Sequence, residues 1–164
     1  MEYLVYFEHI AALCGIVTFF ATTWLVIVGV FPALYRLGYG LARRRIAIFA
    51  EGDHSRSLQH LLLDSKLFKR SNIIEVLNRA DIGKCETASI YLVYWKDAAD
   101  YLRDILEKKP DNCPMIVYSP FEDERIPLEQ MKELDGKRHV AVTNFRGRLL
   151  NDIVTAMITT SHKR

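Results

Sequence analysis

The chain has 164 residues, half of them hydrophobic, with 22 basic and 20 acidic side chains and a formal net charge of +2. This length suits one ordinary domain with a short attachment, and so small a charge excess gives no reason to expect a nucleic-acid partner. The three cysteines are odd in number and lack C-x-x-C spacing. They argue against a disulfide framework and a zinc site, and they fit a reducing compartment.

The first distinctive segment, residues 10–35, contains 26 residues and no charged side chain. As a helix it would extend about 39 Å, whereas a bilayer core needs only ~20 apolar residues. A core helix of a small domain would show a polar face. A signal peptide would have a basic start, a shorter apolar run and a small-x-small cleavage site, all of which are missing here. The sequence therefore predicts a transmembrane helix over 10–35, preceded by a short outer segment over 1–9.

No Lys or Arg precedes this span, whereas several arginines follow it. Arg36 and the run Arg43–Arg45 follow it, whereas the acidic side chains of Glu2 and Glu8 precede it. The positive-inside rule then predicts a single-pass protein of the cell inner membrane, with the N-terminus outside and the C-terminal part in the cytoplasm. Residues 36–43 form a predicted basic juxtamembrane linker, and Arg43–Arg45 are expected to lie against anionic headgroups.

Small residues recur on one stripe of the predicted span, where they would let two helices approach closely. This pattern predicts a homo-oligomer contact, with a plain anchor as the alternative. Pro32 is expected to kink the last turn, and Gly38 and Gly40 are expected to end or loosen the helix. The predicted contact residues are Ala11, Gly15, Thr18 and Thr22.

From residue 44 onward, short apolar runs alternate with stretches of helical period. This alternation predicts a cytosolic α/β domain over 44–164, with a five-stranded, mostly parallel, Rossmann-like or flavodoxin-like sheet covered on both faces. The predicted strands are 45–50, 72–76, 89–95, 114–119 and 139–144. The predicted helices are 57–68, capped by Ser57, 97–109, capped by Asp97, 126–134 and 147–160, while 77–88 has room only for a short helix or turn.

Polar residues follow several of these strands, and in open α/β sheets the ligand crevice lies beyond the carboxyl ends of the strands. Gly52 allows a tight turn, and Ser55 and Ser57 offer hydroxyls at a helix N-terminus, where free backbone N–H groups favour phosphate. The sequence therefore predicts a small anionic ligand, such as a nucleotide; helix caps, turns and solvated surface charges are the alternative explanation. The predicted ligand-binding residues are Gly52, His54, Ser55, Arg56, Ser57, Arg79, Lys96, Ser119, Arg146 and Arg148.

Nothing in the sequence specifies a reaction. "DHS" at 53–55 resembles a catalytic set only in composition, because triad members meet in space and are rarely neighbours in sequence. Glu51 and Asp53 with 122–124 suggest Mg²⁺ ligands, but they fit an exposed acidic loop equally well. There is no glycine-rich dinucleotide fingerprint and no P-loop. The sequence thus assigns no catalytic residue, metal or firm cofactor, and it favours a protein that is not an enzyme.

The order of elements resembles several families over residues 44–160. "SIYLVYWKDAADYLRDIL" and "PMIVYSPFED" resemble the third strand, its helix and the fourth strand of the Rossmann-like regulatory domains of potassium transport. "IAIFAEGDHSRSLQHLL" is similar to the first strand, loop and helix of TIR-like domains, and Ser119 resembles the fourth-strand hydroxyl of receiver domains. The joined membrane helix resembles small bacterial effectors that respond to nucleotide signals in antiviral defence.

These resemblances imply a membrane-anchored sensor or effector. Its cytosolic domain would bind a small anionic ligand and transmit the signal to an oligomeric membrane helix. The alternatives are a TIR-like enzyme that cleaves NAD and a membrane-anchored scaffold for a protein partner. The expected partners are the membrane, further copies of the chain and a nucleotide ligand.

Overall fold

The computed structural model describes residues 2–32, 35, 38, 43–123 and 125–160, and the chain divides into two units, Met1–Gly40 and Leu41–Arg164. In the first unit, helix α1 spans Glu2–Leu25 and continues as a π-helical turn over Val26–Val30. Its segment Ala12–Val30 has a mean hydropathy of 2.2 and no buried portion, and it is the one helix in the described ranges that is long and apolar enough to cross a membrane. The prediction of an apolar N-terminal helix that could span a membrane is confirmed.

The π-helical turn lies just before Pro32. Within it, the N–H of Phe31 donates to the carbonyl of Val26, a step of five residues instead of four. Because proline has no N–H and its ring crowds the preceding turn, the helix widens on the N-terminal side of Pro32. The disturbance that the sequence predicts at Pro32 therefore takes the form of a local widening of the helix. Gly38 is still helical, and the predicted end at Gly40 lies outside the described residues.

Five parallel strands form the sheet of the second unit, in the order β2-β1-β3-β4-β5. Every strand falls inside a predicted apolar run, so the α/β prediction is confirmed and the sheet is wholly parallel. Every residue of β1, β3 and β4 is buried, as expected for strands covered on both faces. The strands are β1 (Ile46–Phe49), β2 (Ile73–Val76), β3 (Ile90–Tyr94), β4 (Met115–Tyr118) and β5 (Val140–Thr143).

Helices cover both faces of this sheet. The helices are α2 (Gly52–Asp64), α3 (Trp95–Ala98), α4 (Leu102–Lys108), α5 (Leu128–Asp135) and α6 (Arg146–Thr159), with 3-10 turns at Arg70–Asn72, Arg79–Thr87 and Ala99–Tyr101. Leu62 of α2 and Ile153 of α6 share one core with Ile48 of β1, whereas Ile105 of α4 shares the opposite core with Phe49. Successive residues of β1 therefore anchor opposite layers, because strand side chains alternate between faces.

The predicted start of the helix after β1 is wrong. Helix α2 begins at Gly52 with Glu51 as its N-cap, so Ser57 is an interior residue of the helix instead of the cap. Asp97 is not a cap either, because it lies within α3, and the predicted helix 97–109 is interrupted by the 3-10 turn at Ala99–Tyr101. The prediction of only a short helical turn within 77–88 is confirmed.

Part of the basic run before β1 belongs to the folded unit. The Arg44 guanidinium donates to the carbonyl of Met157 and, at 3.4 Å, to that of Thr160 at the end of α6. The Arg44 carbonyl in turn accepts a hydrogen bond from the Asn72 side-chain amide at 3.0 Å, and burial lowers the pKa of Arg44. The expectation that Arg44 lies against lipid headgroups is therefore corrected: it satisfies carbonyls at a helix end that lack intrahelical partners.

Candidate functional site

The strand order changes direction between β1 and β3. The chain leaves β1 towards β2 on one side, and then returns to form β3 on the other side. In open α/β sheets the connections that leave such neighbouring strands diverge and open a crevice at their carboxyl ends. Because Phe49 pairs with Val93, the residues that follow β1 and β3 come together here.

His54 and Asp97 pair across this switch point. The His54 Nδ1 atom lies 3.0 Å from Oδ2 and 3.1 Å from Oδ1 of Asp97, and the backbone N–H of Glu51 donates to Oδ2 at 2.8 Å. The side chain of Asp97 is 12% exposed and that of His54 is 42% exposed. Because a carboxylate only accepts hydrogen bonds, the neutral imidazole carries its proton on Nδ1. Nε2 is left as an acceptor with no hydrogen bond to any residue in the described ranges.

Tyr94, the last residue of β3, fixes the plane of the imidazole. Its ring stacks on that of His54, with centroids 4.1 Å apart and planes 11° apart. The Tyr94 hydroxyl donates to Asp123 at 2.7 Å, and Lys96 Nζ donates to the other Asp123 oxygen at 3.1 Å. The hydrogen bond from Tyr94, followed by that from Lys96, lowers the pKa of Asp123, whereas burial raises the pKa of Tyr94. These bonds tie the loop after β4 to the end of β3.

The buried Tyr101 side chain lies close to the carboxylates of Glu51 and Asp97. The Tyr101 hydroxyl has no hydrogen-bond partner in the described part of the chain. Burial first, and then the charges of Glu51 and Asp97, raises the pKa of Tyr101 to about 12. Tyr101 therefore stays neutral and adds no charge beside the His54–Asp97 pair.

The His54 ring opens onto a cleft of about 470 Å³, which we call the main cleft. Phe121 and Phe145 line it and are 78% and 57% exposed, so two phenyl faces are open to a ligand. Arg146 also lines it and donates to the carbonyl of Ser57 at 3.0 Å, which ties the start of α6 to α2. The lining residues are His54, Ser57, Leu58, Tyr94, Tyr118, Pro120, Phe121, Glu122, Asn144, Phe145 and Arg146.

Three of the ten predicted ligand-binding residues line the main cleft: His54, Ser57 and Arg146. Ser119 lines a smaller neighbouring hollow of about 370 Å³, which shares Phe121 with the main cleft. Lys96 and Gly52 line neither hollow: Lys96 is paired with Asp123, and Gly52 begins α2 with φ +50. These six residues come from the ends of four strands, as the sequence predicts.

The remaining four predicted residues also line neither hollow. Ser55 is buried, and its hydroxyl accepts from Gln59 at 3.2 Å. The three arginines are paired with acidic residues: Arg56 with Asp53 at 3.5 Å, Arg79 with Asp104 at 3.0 Å, and Arg148 with Asp152 at 4.0 Å. For these three arginines the alternative of ordinary surface charge describes the observed positions.

Sequence reasoning missed the partners that make His54 a site residue. The sequence predicts Asp97 as a helix cap and leaves Asp123 either among Mg²⁺ ligands or in an exposed acidic loop, and it predicts no contact of either residue with His54. One signal was present in the sequence: a histidine and an aspartate follow two strands that a 2-1-3 strand order makes neighbours. Neither a protein-family model nor a curated protein matches this chain.

Proposed function

We propose that this protein is a membrane-anchored sensor or effector whose α/β domain binds a nucleotide or a similar anionic ligand in the main cleft. The observation that carries the proposal is the set of groups gathered at the switch point of the sheet. One cleft there holds a cation, Arg146, an imidazole, His54, and two exposed phenyl rings, Phe121 and Phe145. Helix α1 would supply the anchor.

The size and lining of the main cleft suit a nucleotide. Its volume of about 470 Å³ lies in the range of roughly 300–1,000 Å³ of small-molecule sites. Phenyl faces favour a stacked base, and a guanidinium favours a phosphate. Arg146 is the first residue of α6, where unpaired backbone N–H groups add positive potential.

The charges in the lining also suggest the direction in which a nucleotide lies. Glu122 lies on the lining beside Phe121 and is exposed, so it repels phosphate from that side. Arg146 lies on the same lining and attracts phosphate to its own side. We therefore expect the base near Phe121 and the phosphates near Arg146.

The membrane arrangement belongs to the same proposal. The arginines that follow the span support a cytoplasmic α/β domain, by the positive-inside rule. Within α1, the Thr18 and Thr22 hydroxyls bond to carbonyls of their own helix at 2.8 and 2.9 Å, so their outer surface makes no further polar demand. That surface, with Gly15, supports assembly of several copies through close helix contact. A role in bacterial antiviral defence rests on resemblance of architecture alone.

Binding of a fluorescent nucleotide tests the proposal. The full chain in detergent micelles is titrated with 2′,3′-O-trinitrophenyl-ATP, and ATP is used as the competitor. We expect saturable, ATP-displaceable binding that Arg146→Glu weakens about tenfold or more, a change of ~1.4 kcal/mol. Arg148→Glu is the matched control, because it reverses the same charge on the same helix outside the cleft.

Two results would contradict nucleotide binding in this cleft. The first is the absence of displaceable binding by the parent chain, which would favour a scaffold for a protein partner. The second is an equal loss of affinity in the two arginine variants, since it would point to overall charge instead of a site. Thermal unfolding of both variants checks that they remain folded, because Arg146 also bonds to Ser57.

A further inference from the structure

We propose that the His54–Asp97 pair forms a hydrolytic site, in which His54 is the general base and the phosphoanhydride of a bound nucleotide is the substrate. The inference rests on the proposed function, because it needs a nucleoside di- or triphosphate in the main cleft. It goes beyond that function because binding by itself implies no reaction. Asp97 acts here as a positioning residue, through His54.

The first support is the way the imidazole is held. Asp97 holds Nδ1 from the edge of the ring at 3.0 and 3.1 Å, while Tyr94 covers one face at 4.1 Å between centroids. Asp97 is itself held by the backbone N–H of Glu51 at 2.8 Å. A base whose orientation is fixed by a second and a third group is the arrangement used to activate a nucleophile.

The second support is the difference in exposure across the pair. The Asp97 side chain is 12% exposed and sits on the inner side, whereas the His54 side chain is 42% exposed and lines the main cleft. Nε2, the nitrogen turned away from Asp97, is therefore the acceptor available to a water molecule in the cleft. A histidine that served only as a link between β1 and β3 would need no access to the cleft.

The third support is the match between a single base and the bond to be broken. Nε2 accepts a proton from water as the water oxygen forms a bond to the terminal phosphorus. The bond from that phosphorus to the bridging oxygen breaks, and its electron pair stays on the leaving nucleotide phosphate. That leaving group needs no proton near neutral pH, whereas the alkoxide of an ester would need a second group as acid.

The imidazolium then releases its proton to solvent, and the cycle is complete. Overall, nucleoside triphosphate and water give nucleoside diphosphate, inorganic phosphate and a proton. Arg146 is the nearby cation in the lining that would stabilise charge on the phosphates during this step.

The experiment measures inorganic phosphate released from ATP, with Mg²⁺, by the full chain in detergent micelles. We expect steady release by the parent chain and a fall of about 100-fold or more in His54→Asn. His60→Asn is the matched control, because His60 is an exposed histidine on the same helix, and its rate should equal that of the parent. Trinitrophenyl-ATP affinity should stay within a few-fold of the parent in His60→Asn, and in His54→Asn the loss of affinity should be far smaller than the loss of rate.

Asp97→Asn tests the positioning role. An amide N–H facing Nδ1 would shift the imidazole proton to Nε2, so we expect a fall of about 10²–10⁴-fold in rate with nucleotide affinity retained. A purely structural link would change thermal stability, whereas a positioning role lowers the rate while the nucleotide affinity is kept.

Trinitrophenyl-ATP binding without phosphate release by the parent chain would overturn this inference and leave the proposed function standing. Phosphate release by His54→Asn or Asp97→Asn at the parent rate would overturn it as well. Failure of the parent chain to bind the nucleotide would overturn the proposed function and the hydrolysis together.

Discussion

Gly52 allows the chain to pass directly from β1 into α2. Its φ is +50, a backbone conformation that a side chain disfavours, and it lies three residues after the last residue of β1. This early turn puts His54 in the first turn of α2, level with the end of β3. The conformation of one glycine therefore helps to set the position of the histidine relative to Asp97.

Gly52→Ala should lower the free energy of unfolding by about 1–2 kcal/mol. No atom lies within 4 Å of a Cβ built at this position, so the whole effect comes from the backbone. Gly136→Ala is the control: the φ of Gly136 is −74, and a Cβ there would lie 3.5 Å from the Lys132 carbonyl oxygen, an ordinary contact distance. Urea unfolding of the full chain in micelles, followed by tryptophan fluorescence, gives both values.

Equal stability of the two alanine variants would show that Gly52 is not required for its backbone freedom. Loss of stability in Gly136→Ala alone would also contradict the role given to the backbone of Gly52.

From the sequence, the strand ends that supply the site are easier to predict than the individual side chains that line it. His54, Ser57 and Arg146 line the main cleft as expected, because they follow β1 and β5 closely and their own helices hold them there. Arg56 and Arg148 instead turn towards acids three and four residues away on the same helix. Such local pairing depends on the exact start of each helix. For α2 the predicted start is five residues too late, because Ser57 resembles a helix cap.

At the scale of elements, Arg44 joins three parts of the second unit. Its guanidinium bonds to carbonyls at the end of α6, and its own carbonyl bonds to Asn72 just before β2. Arg44 also lies two residues before the start of β1. The run of three arginines suggested headgroup binding by composition, and composition cannot reveal that a neighbouring helix ends beside one of them.

Arg44→Ala should therefore destabilise the α/β unit more than Arg45→Ala does. We expect a loss of about 1.5–3 kcal/mol, the usual contribution of hydrogen bonds made by a charged group. Arg45 makes an exposed bond to Thr87 at 3.2 Å, so its replacement should change the free energy of unfolding by less than about 0.5 kcal/mol. Urea unfolding in micelles measures both, and a larger loss in Arg45→Ala would refute the role given to Arg44.

The strands were the most predictable elements. All five strands fall inside predicted apolar runs, and β1, β3 and β4 are buried throughout because helices cover both faces of the sheet. The break between α3 and α4 was not predictable in this way, because 97–109 keeps a helical period across the 3-10 turn. Asp97 therefore looked like an end of a helix, although it lies inside one and bonds to His54.

For the whole molecule, one apolar helix precedes one α/β unit, and basic residues follow the helix. We expect the α/β unit to lie in the cytoplasm. A green fluorescent protein that fluoresces only in the bacterial cytoplasm, fused after Arg164, should be bright. Alkaline phosphatase, which folds only in the periplasm, should be inactive at the same site.

Placing the same two reporters before Met1 gives the matched comparison, and the pattern should be reversed there. Active phosphatase together with dark fluorescent protein after Arg164 would refute the orientation. Equal activity of one reporter at both ends would refute a single crossing of the membrane.

Helix α6 reaches from the main cleft to the beginning of the α/β unit. Its first residue, Arg146, lines the cleft and grips α2, and its last carbonyls are held by Arg44, which leads into β1. With 14 residues it is about 21 Å long. Packed helices move as rigid bodies. We therefore expect a nucleotide that draws Arg146 inward to shift Arg44 at the other end of α6 as well.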